Sequence, residues 1–177
     1  MDELKIGKPD DLNDDEKAEL IEFVKAAGEV PGITLEHVKQ AVCVVRLRSA
    51  DALIGAAALK TPYDTYRTDR FAKAGLAGAE RHYPLELGYL AVQTDLRQRR
   101  GLGHLLVAAA LSRREKTTGV FATSEISNFG MHSILASRHF ERAGADWEAP
   151  RKNTPDRRLA LFLSPGVGAP KLEKISA

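Results

Sequence analysis

Cysteine is nearly absent from this chain. Its 177 residues include one, Cys43, so no intrachain disulfide can form and the fold must rest on packing. Long apolar runs are missing too. No stretch approaches the roughly 18 uninterrupted apolar residues of a membrane span. The opening Met1-Asp2-Glu3-Leu4-Lys5 lacks the basic-then-apolar order of an export signal. A cytoplasmic chain with no membrane partner is expected. Net charge is small, +2. Residues 1–50 carry 7 Lys/Arg against 11 Asp/Glu, and residues 101–177 carry 11 against 7. That tilt favours an anionic ligand in the second half, but it is far from the dense basic stripe that nucleic acid requires. With 44% hydrophobic residues, the composition also excludes a chain disordered for want of burial. One domain over 1–163 with a loose tail over 164–177 is expected, of a size that buries roughly two-thirds of its unfolded surface.

Several chemistries lack their residues. No serine stands in a G-x-S-x-G elbow, and no Walker loop is present. His132 and His139 lie seven apart, about 10 Å along a helix axis, too far to share one zinc, so no metal site is expected. Cys43 stands among Val42, Val44 and Val45 and reads as a small buried hydrophobe rather than a nucleophile.

Asn13 with Glu16 three residues on is a capping box, opening a helix that carries Leu20, Phe23, Val24 and Ala27 and ends near Gly28. Thr34 caps a second short helix. Val42–Arg48 and Leu53–Leu59 read as a hairpin turning at Ser49-Ala50-Asp51. Residues 61–84 fit no regular period and are read as an insertion with one helical turn around Arg70–Ala74; it serves either acceptor selection or a packing or dimerisation flap. Leu85–Val92 resumes a strand. A helix follows Gly101 with Leu102, Leu105, Leu106, Ala109 and Ala110 on one face. Gly119–Ile126 is a strand, Asn128–Ala143 a helix and Leu159–Leu163 a last strand. This order implies a mixed sheet covered by helices on both faces, an α/β (α+β) fold.

Between the strand at 85–92 and its following helix lies Arg97-Gln98-Arg99-Arg100-Gly101-Leu102-Gly103-His104. A helix N-terminus leaves about four backbone N–H groups without intrahelical acceptors and carries roughly half a positive charge. Glycines let a diphosphate approach such a backbone, and the arginines add positive potential. The dinucleotide fingerprint fails because Leu106 occupies its third small position.

The pattern that remains, Gln98-x-x-Gly101-x-Gly103 after a strand, resembles the signature of the GNAT superfamily of acyl-CoA-dependent N-acyltransferases. The resemblance covers residues 40–163 and implies a mostly antiparallel sheet splayed at its fourth strand, with acetyl-CoA as co-substrate. It places the diphosphate on Gln98, Arg99, Arg100, Gly101, Leu102, Gly103 and His104, and the pantetheine arm on Leu90, Ala91 and Val92. Nine residues separate Val92 from Gly101, one more than is common there. His139-Phe140-Glu141-Arg142-Ala143-Gly144 is similar to the end of the family's fourth helix, with Phe140 where a tyrosine acid is usual. Counted on a continuous helix, Phe140 stands opposite Met131, off the core stripe. Tyr89 or His139 is a candidate to replace the missing acid. Glu86, six residues before Val92, stands where several members carry a general base, and is equally read as a solvated strand-end charge. Asn128, as helix cap or cofactor contact, and Ser133 complete the candidates. The cluster Arg151, Lys152, Arg157 and Arg158 is read as a solvated loop that could hold an acidic acceptor or the adenosine phosphate.

The implied reaction moves an acetyl group to a primary amine, on a small molecule or peptide, by direct attack. The alternatives are a non-catalytic acyl-CoA-binding sensor, favoured by Phe140, and a protein- or aminoacyl-RNA-directed acyltransferase. A charged RNA is the one nucleic-acid partner this leaves open, and a homodimer is compatible with it.

Overall fold

The computed structural model describes residues 2–28, 30, 32–96 and 101–168. Its strands are β1 (Asp2–Gly7), β2 (Ala41–Ser49), β3 (Ala52–Lys60), β4 (Leu85–Val92), β5 (Val120–Glu125), β6 (Glu141–Glu148) and β7 (Arg158–Ser164). Its helices are α1 (Asp14–Ala26), α2 (Leu35–Lys39), α3 (Asp64–Lys73), α4 (Leu102–Leu111) and α5 (Phe129–Ala136). The strand order is β1-β2-β3-β4-β5-β7-β6. Neighbours β1–β2, β2–β3, β5–β7 and β6–β7 are antiparallel, whereas β4 and β5 run parallel. This is the mixed, mostly antiparallel α/β fold that the element order implied. Backbone contacts divide it into two compact units, Met1–Thr61 with Leu87–Arg114 and Pro62–Glu86 with Glu115–Ala177.

In the first unit, the period of the β2–β3 hairpin sorts its side chains to two faces. Val44, Ala56 and Ala58 join Leu20 and Val24 of α1 and Val38 of α2 in one core cluster. On the same face Arg46 pairs with Glu16 of α1. On the other face the Cys43 thiol points at the Ala110 carbonyl of α4 at 3.7 Å, and a Cβ on Gly55 would stand 2.9 Å from Leu106. The alanine run of β3 lets helices approach both sides closely. The capping box of α1 forms as read: Asn13 accepts from the Glu16 N–H and Glu16 accepts from the Asn13 N–H. In α4, Val107 is buried and Leu105 is 43% exposed, so the buried stripe is rotated from the expected one.

The second unit packs α3 and α5 on opposite faces of its strands. Phe71 of α3 and Ala74 just past its end join Leu76, Tyr83, Phe121, Trp147 and the inward residues Leu159, Leu161 and Leu163 of β7 in one cluster. Phe71 stacks on Tyr83 at 5.7 Å and meets Phe121 edge-on at 5.4 Å. On the opposite face the His132 ring of α5 lies 4.8 Å from that of Phe162. Segment 61–84 is therefore no loose insertion. It holds a ten-residue helix, longer than the single turn expected, and supplies part of this unit's core.

The expected helix over 128–143 is corrected as well. It stops at Ala136, and Glu141–Glu148 is the strand β6. The stop is a Schellman arrangement: Phe140 N–H donates to the Leu135 carbonyl, His139 N–H donates to Ala136, and His139 takes φ +60°. At the other end of the chain order, Asp2–Gly7 adds a strand before the first helix that the sequence reading did not contain. Strand β7 takes in Ser164, and Val167 N–H then donates to the Lys116 carbonyl. The remainder of the expected tail, 169–177, lies outside the described residues.

Candidate functional site

Strand β4 pairs with β5 at Leu85 with Val120 and at Glu86 with Phe121. Beyond them β4 runs on to Val92 in the first unit. Within that stretch Tyr89 holds φ +55°, a left-handed backbone that costs a residue with a Cβ roughly 1–2 kcal/mol. Its side chain supports the kink. Tyr89 is buried, its hydroxyl donates to the His37 carbonyl at 3.1 Å, and the Lys60 ammonium lies 4.6 Å from its ring centroid. The proposed acid is thus committed to a backbone carbonyl inside the first unit's core. Ala91 is buried beside it in the same cluster, while Leu90 and Val92 are half-buried.

A short 3-10 turn at Thr94–Leu96 leads from β4, anchored by Gln93 N–H donating to the Ile54 carbonyl at 2.9 Å. Gln98, Arg99 and Arg100 lie outside the described residues. Gly101 is the N-cap of α4 at φ +65°, and a Cβ built there would meet nothing within 4 Å. The need for glycine at this position is set by backbone conformation, and the space in front of it is open. The first intrahelical backbone bond runs from Leu105 N–H to the Gly101 carbonyl, so the amides of Leu102 and Gly103 precede it. Gly101 has no side chain to cap this end, and no acidic residue occupies the first turn. Leu102 is buried and fixes the turn, whereas Gly103 and His104 are half-buried. The described part of the motif therefore suits an anion: backbone donors, the positive end of a helix, and open room.

The second unit holds the other candidates. Glu86 is 3% exposed, which excludes the solvated strand-end reading. The Tyr66 hydroxyl of α3 donates to its Oε1 at 3.0 Å. Burial, and then the neighbouring carboxylate, push the Tyr66 hydroxyl well above its ordinary pKa, so the phenol stays protonated and stays a donor. The Arg70 guanidinium lies 4.6 Å from the centre of the Tyr66 ring. The sequence reading placed Tyr66, with Tyr63, Arg67 and Tyr83, in the 61–84 segment as candidates for acceptor selection, and did not foresee its bond to Glu86. The available signal was its place four residues before Arg70 on one helical face.

Asn128 is the N-cap of α5, accepting from Met131 N–H at 3.0 Å, as the capping reading held. Ser133 is exposed. Phe140, expected off the core stripe, is buried at 4%, because the helix on which that position was counted has already ended. His139, the other candidate acid, is exposed at the turn after α5. Of the basic cluster, Arg157 pairs with Glu125 and donates to the Ala149 carbonyl, so it is tied into the second unit rather than solvated. Cys43 is buried, and desolvation raises its thiol pKa, in keeping with an inert packing role.

No protein-family model and no curated protein matches the chain. Solved structures do. A candidate acetyltransferase from Salmonella typhimurium, yncA, determined with its cofactor acetyl-CoA, aligns over 98% of this chain and 99% of that one with a TM-score of 0.65 at 12% identity. The ribosomal-protein-S18-alanine N-acetyltransferase of Escherichia coli aligns over 99% and 100% with 0.62 at 13% identity. An acyl-CoA N-acyltransferase from Pseudomonas aeruginosa aligns over 92% and 99% with 0.60 at 13% identity. The chain therefore has the fold of the GNAT acyltransferases. Among the described residues, no helix is long and apolar enough to cross a membrane.

Proposed function

We propose that residues 1–163 act as an acetyl-CoA-dependent N-acetyltransferase that works in the cytoplasm on a primary amine of a small molecule or peptide. The observation that carries this reading is the α4 N-terminus, opened by Gly101 in a left-handed conformation with no acidic residue in the first turn, in a fold shared with a protein solved with acetyl-CoA. The residues present suit the cofactor's diphosphate. The amides of Leu102, Gly103 and His104 would hold it, with Gln98, Arg99 and Arg100 adding donors and charge, and Leu90, Ala91 and Val92 would line the pantetheine arm.

Bound acetyl-CoA supplies an activated thioester. The chain's own work is to position and deprotonate the amine. An ammonium with a pKa of about 10.4 must lose a proton before it can attack, and Glu86 is the carboxylate assigned to take it. A β4 amide at Leu90, Ala91 or Val92 would face the carbonyl oxygen as charge develops on it. The C–N bond forms as the C–S bond breaks. A thiol pKa of about 8.5 lets the thiolate leave and take its proton from water, so Phe140 need not supply one. Holding both reactants together supplies much of the acceleration.

A second reading, a non-catalytic acyl-CoA sensor, is favoured by one observation: Phe140 has no proton to give, and Tyr89 gives its own to His37. An assay of CoA release with a panel of amines separates the two. The transferase gives amine-dependent release, and the sensor binds acyl-CoA without it.

A further inference from the structure

The ten-residue helix α3 and its C-cap turn an inward face made of Tyr66, Arg67, Arg70, Phe71 and Ala74. Phe71 and Ala74 pack the core of the second unit, and Tyr66 lies against the same cluster. Burying a phenol and two arginines on a face with apolar neighbours is costly unless each has a task. For Tyr66 the partner is Glu86, at 3.0 Å, in one of the two residue pairs that join β4 to β5. Arg70 lies over the Tyr66 ring and itself stands near Asp69, at 3.9 Å. The groups that face Glu86 from α3 are thus the Tyr66 hydroxyl and, behind it, the Arg70 cation, while its register partner on β5 is the untitratable Phe121.

We propose that Tyr66 is a positioning residue for Glu86: its hydroxyl, steadied by Arg70 stacked on the ring, holds the carboxylate in the orientation that takes the proton of the incoming ammonium. This rests on the transferase reading. A donor that cannot lose its proton in the working range obliges its partner to accept, which is what the ionised carboxylate does best. Because the phenol occupies Oε1 from one side, it also fixes the plane in which the carboxylate meets the amine. The proton that leaves the ammonium rests on Glu86 and then passes to solvent, and Tyr66 exchanges none.

The test uses Tyr66→Phe, which keeps the ring and its contact with Arg70 and removes only the hydroxyl. Amine-dependent CoA release is measured on the full chain. Tyr66→Phe is expected to lower kcat about tenfold, with KM for acyl-CoA changing less than twofold. Arg70→Met, which keeps the hydroxyl and loses the clamp, is expected to give a smaller fall of the same sign. On a Glu86→Gln background, where there is no carboxylate to orient, adding Tyr66→Phe is expected to change kcat less than twofold. An unchanged kcat in both single variants overturns the positioning role. A loss from Tyr66→Phe that is as large on the Glu86→Gln background overturns the claim that Tyr66 acts through Glu86, and with it the proposal. Failure of the transferase reading is seen separately, as wild-type protein that releases no CoA with any amine.

Discussion

Gly144 of β6 lies so close to Ala74, just past α3, that a Cβ on it would stand 2.1 Å from the Ala74 carbonyl oxygen. The next residue completes the join, Ala145 N–H donating to that same oxygen at 2.9 Å. Gly144 also holds φ +67°. In the sequence this glycine served as a landmark of a helix end. In the structure its reason is local: it lets a strand bond a helix terminus directly.

Gly144→Ala must therefore bear both a left-handed alanine and a clash with backbone that cannot rotate away. The two together are expected to cost about 3 kcal/mol. For a chain of this length that lowers Tm by roughly 6–12 °C. Calorimetry checks it, and a fall of less than about 2 °C would show that β6 and α3 are free to separate there.

The interior strands were legible because β2, β3, β4, β5 and β7 carry apolar or β-branched runs that only a buried strand needs. The two that were missed, β1 and β6, are the outermost in the strand order. An outer strand has one neighbour and blunts its open edge with charge, so Asp2–Gly7 and Glu141–Glu148 show little apolar pattern to read. Helix α3 was underestimated for a related reason. Its inward residues are spaced as a helix requires, but two of the five are Arg67 and Arg70, which a count of apolar positions discards. Helix α5 was overrun because its left-handed stop falls on His139, not on the glycine or asparagine that marks such a stop in sequence. Of the candidate site, Gly101 and Glu86 were visible as isolated residues. The pairing of Tyr66 with Glu86, twenty positions on, was not, since only the fold of α3 brings the two together.

Glu16 carries two duties that pH separates. It accepts the Asn13 N–H in the capping box and pairs with Arg46, whose side chain is 9% exposed. The hydrogen bond from Arg46, and then that from the Asn13 backbone, hold its carboxyl below the ordinary 4.5. A depressed carboxyl contributes stability that is complete above its unfolded pKa and is lost as pH falls through the folded value. Glu16→Gln keeps the capping acceptor and loses the charge. It is expected to be less stable than the parent at pH 7, by about 1 kcal/mol after solvent screening of a side chain that is one-third exposed. The difference should close at a pH below that depressed value, where the parent's carboxyl is protonated. Urea unfolding at both pH values checks this, and a gap that persists in acid would assign the effect to the cap instead of the ion pair.

Gly101 allows the charge at the head of α4 to be tested apart from its shape. Asparagine and aspartate both tolerate a left-handed backbone, are nearly isosteric, and can each cap the helix. Among the described residues a Cβ at this position meets nothing within 4 Å, and the two side chains are the same size, so packing cannot distinguish them. What differs is a negative charge beside the amides of Leu102 and Gly103, where the diphosphate would sit. Gly101→Asp is expected to bind acetyl-CoA at least tenfold more weakly than Gly101→Asn, a difference of about 1.4 kcal/mol. The gap should narrow as salt is raised from low to physiological strength, because the two charges are only partly buried. Titration calorimetry of both variants measures it. Equal affinities would mean that the helix does not hold the phosphates, and the cofactor would then have to be sought elsewhere on the protein.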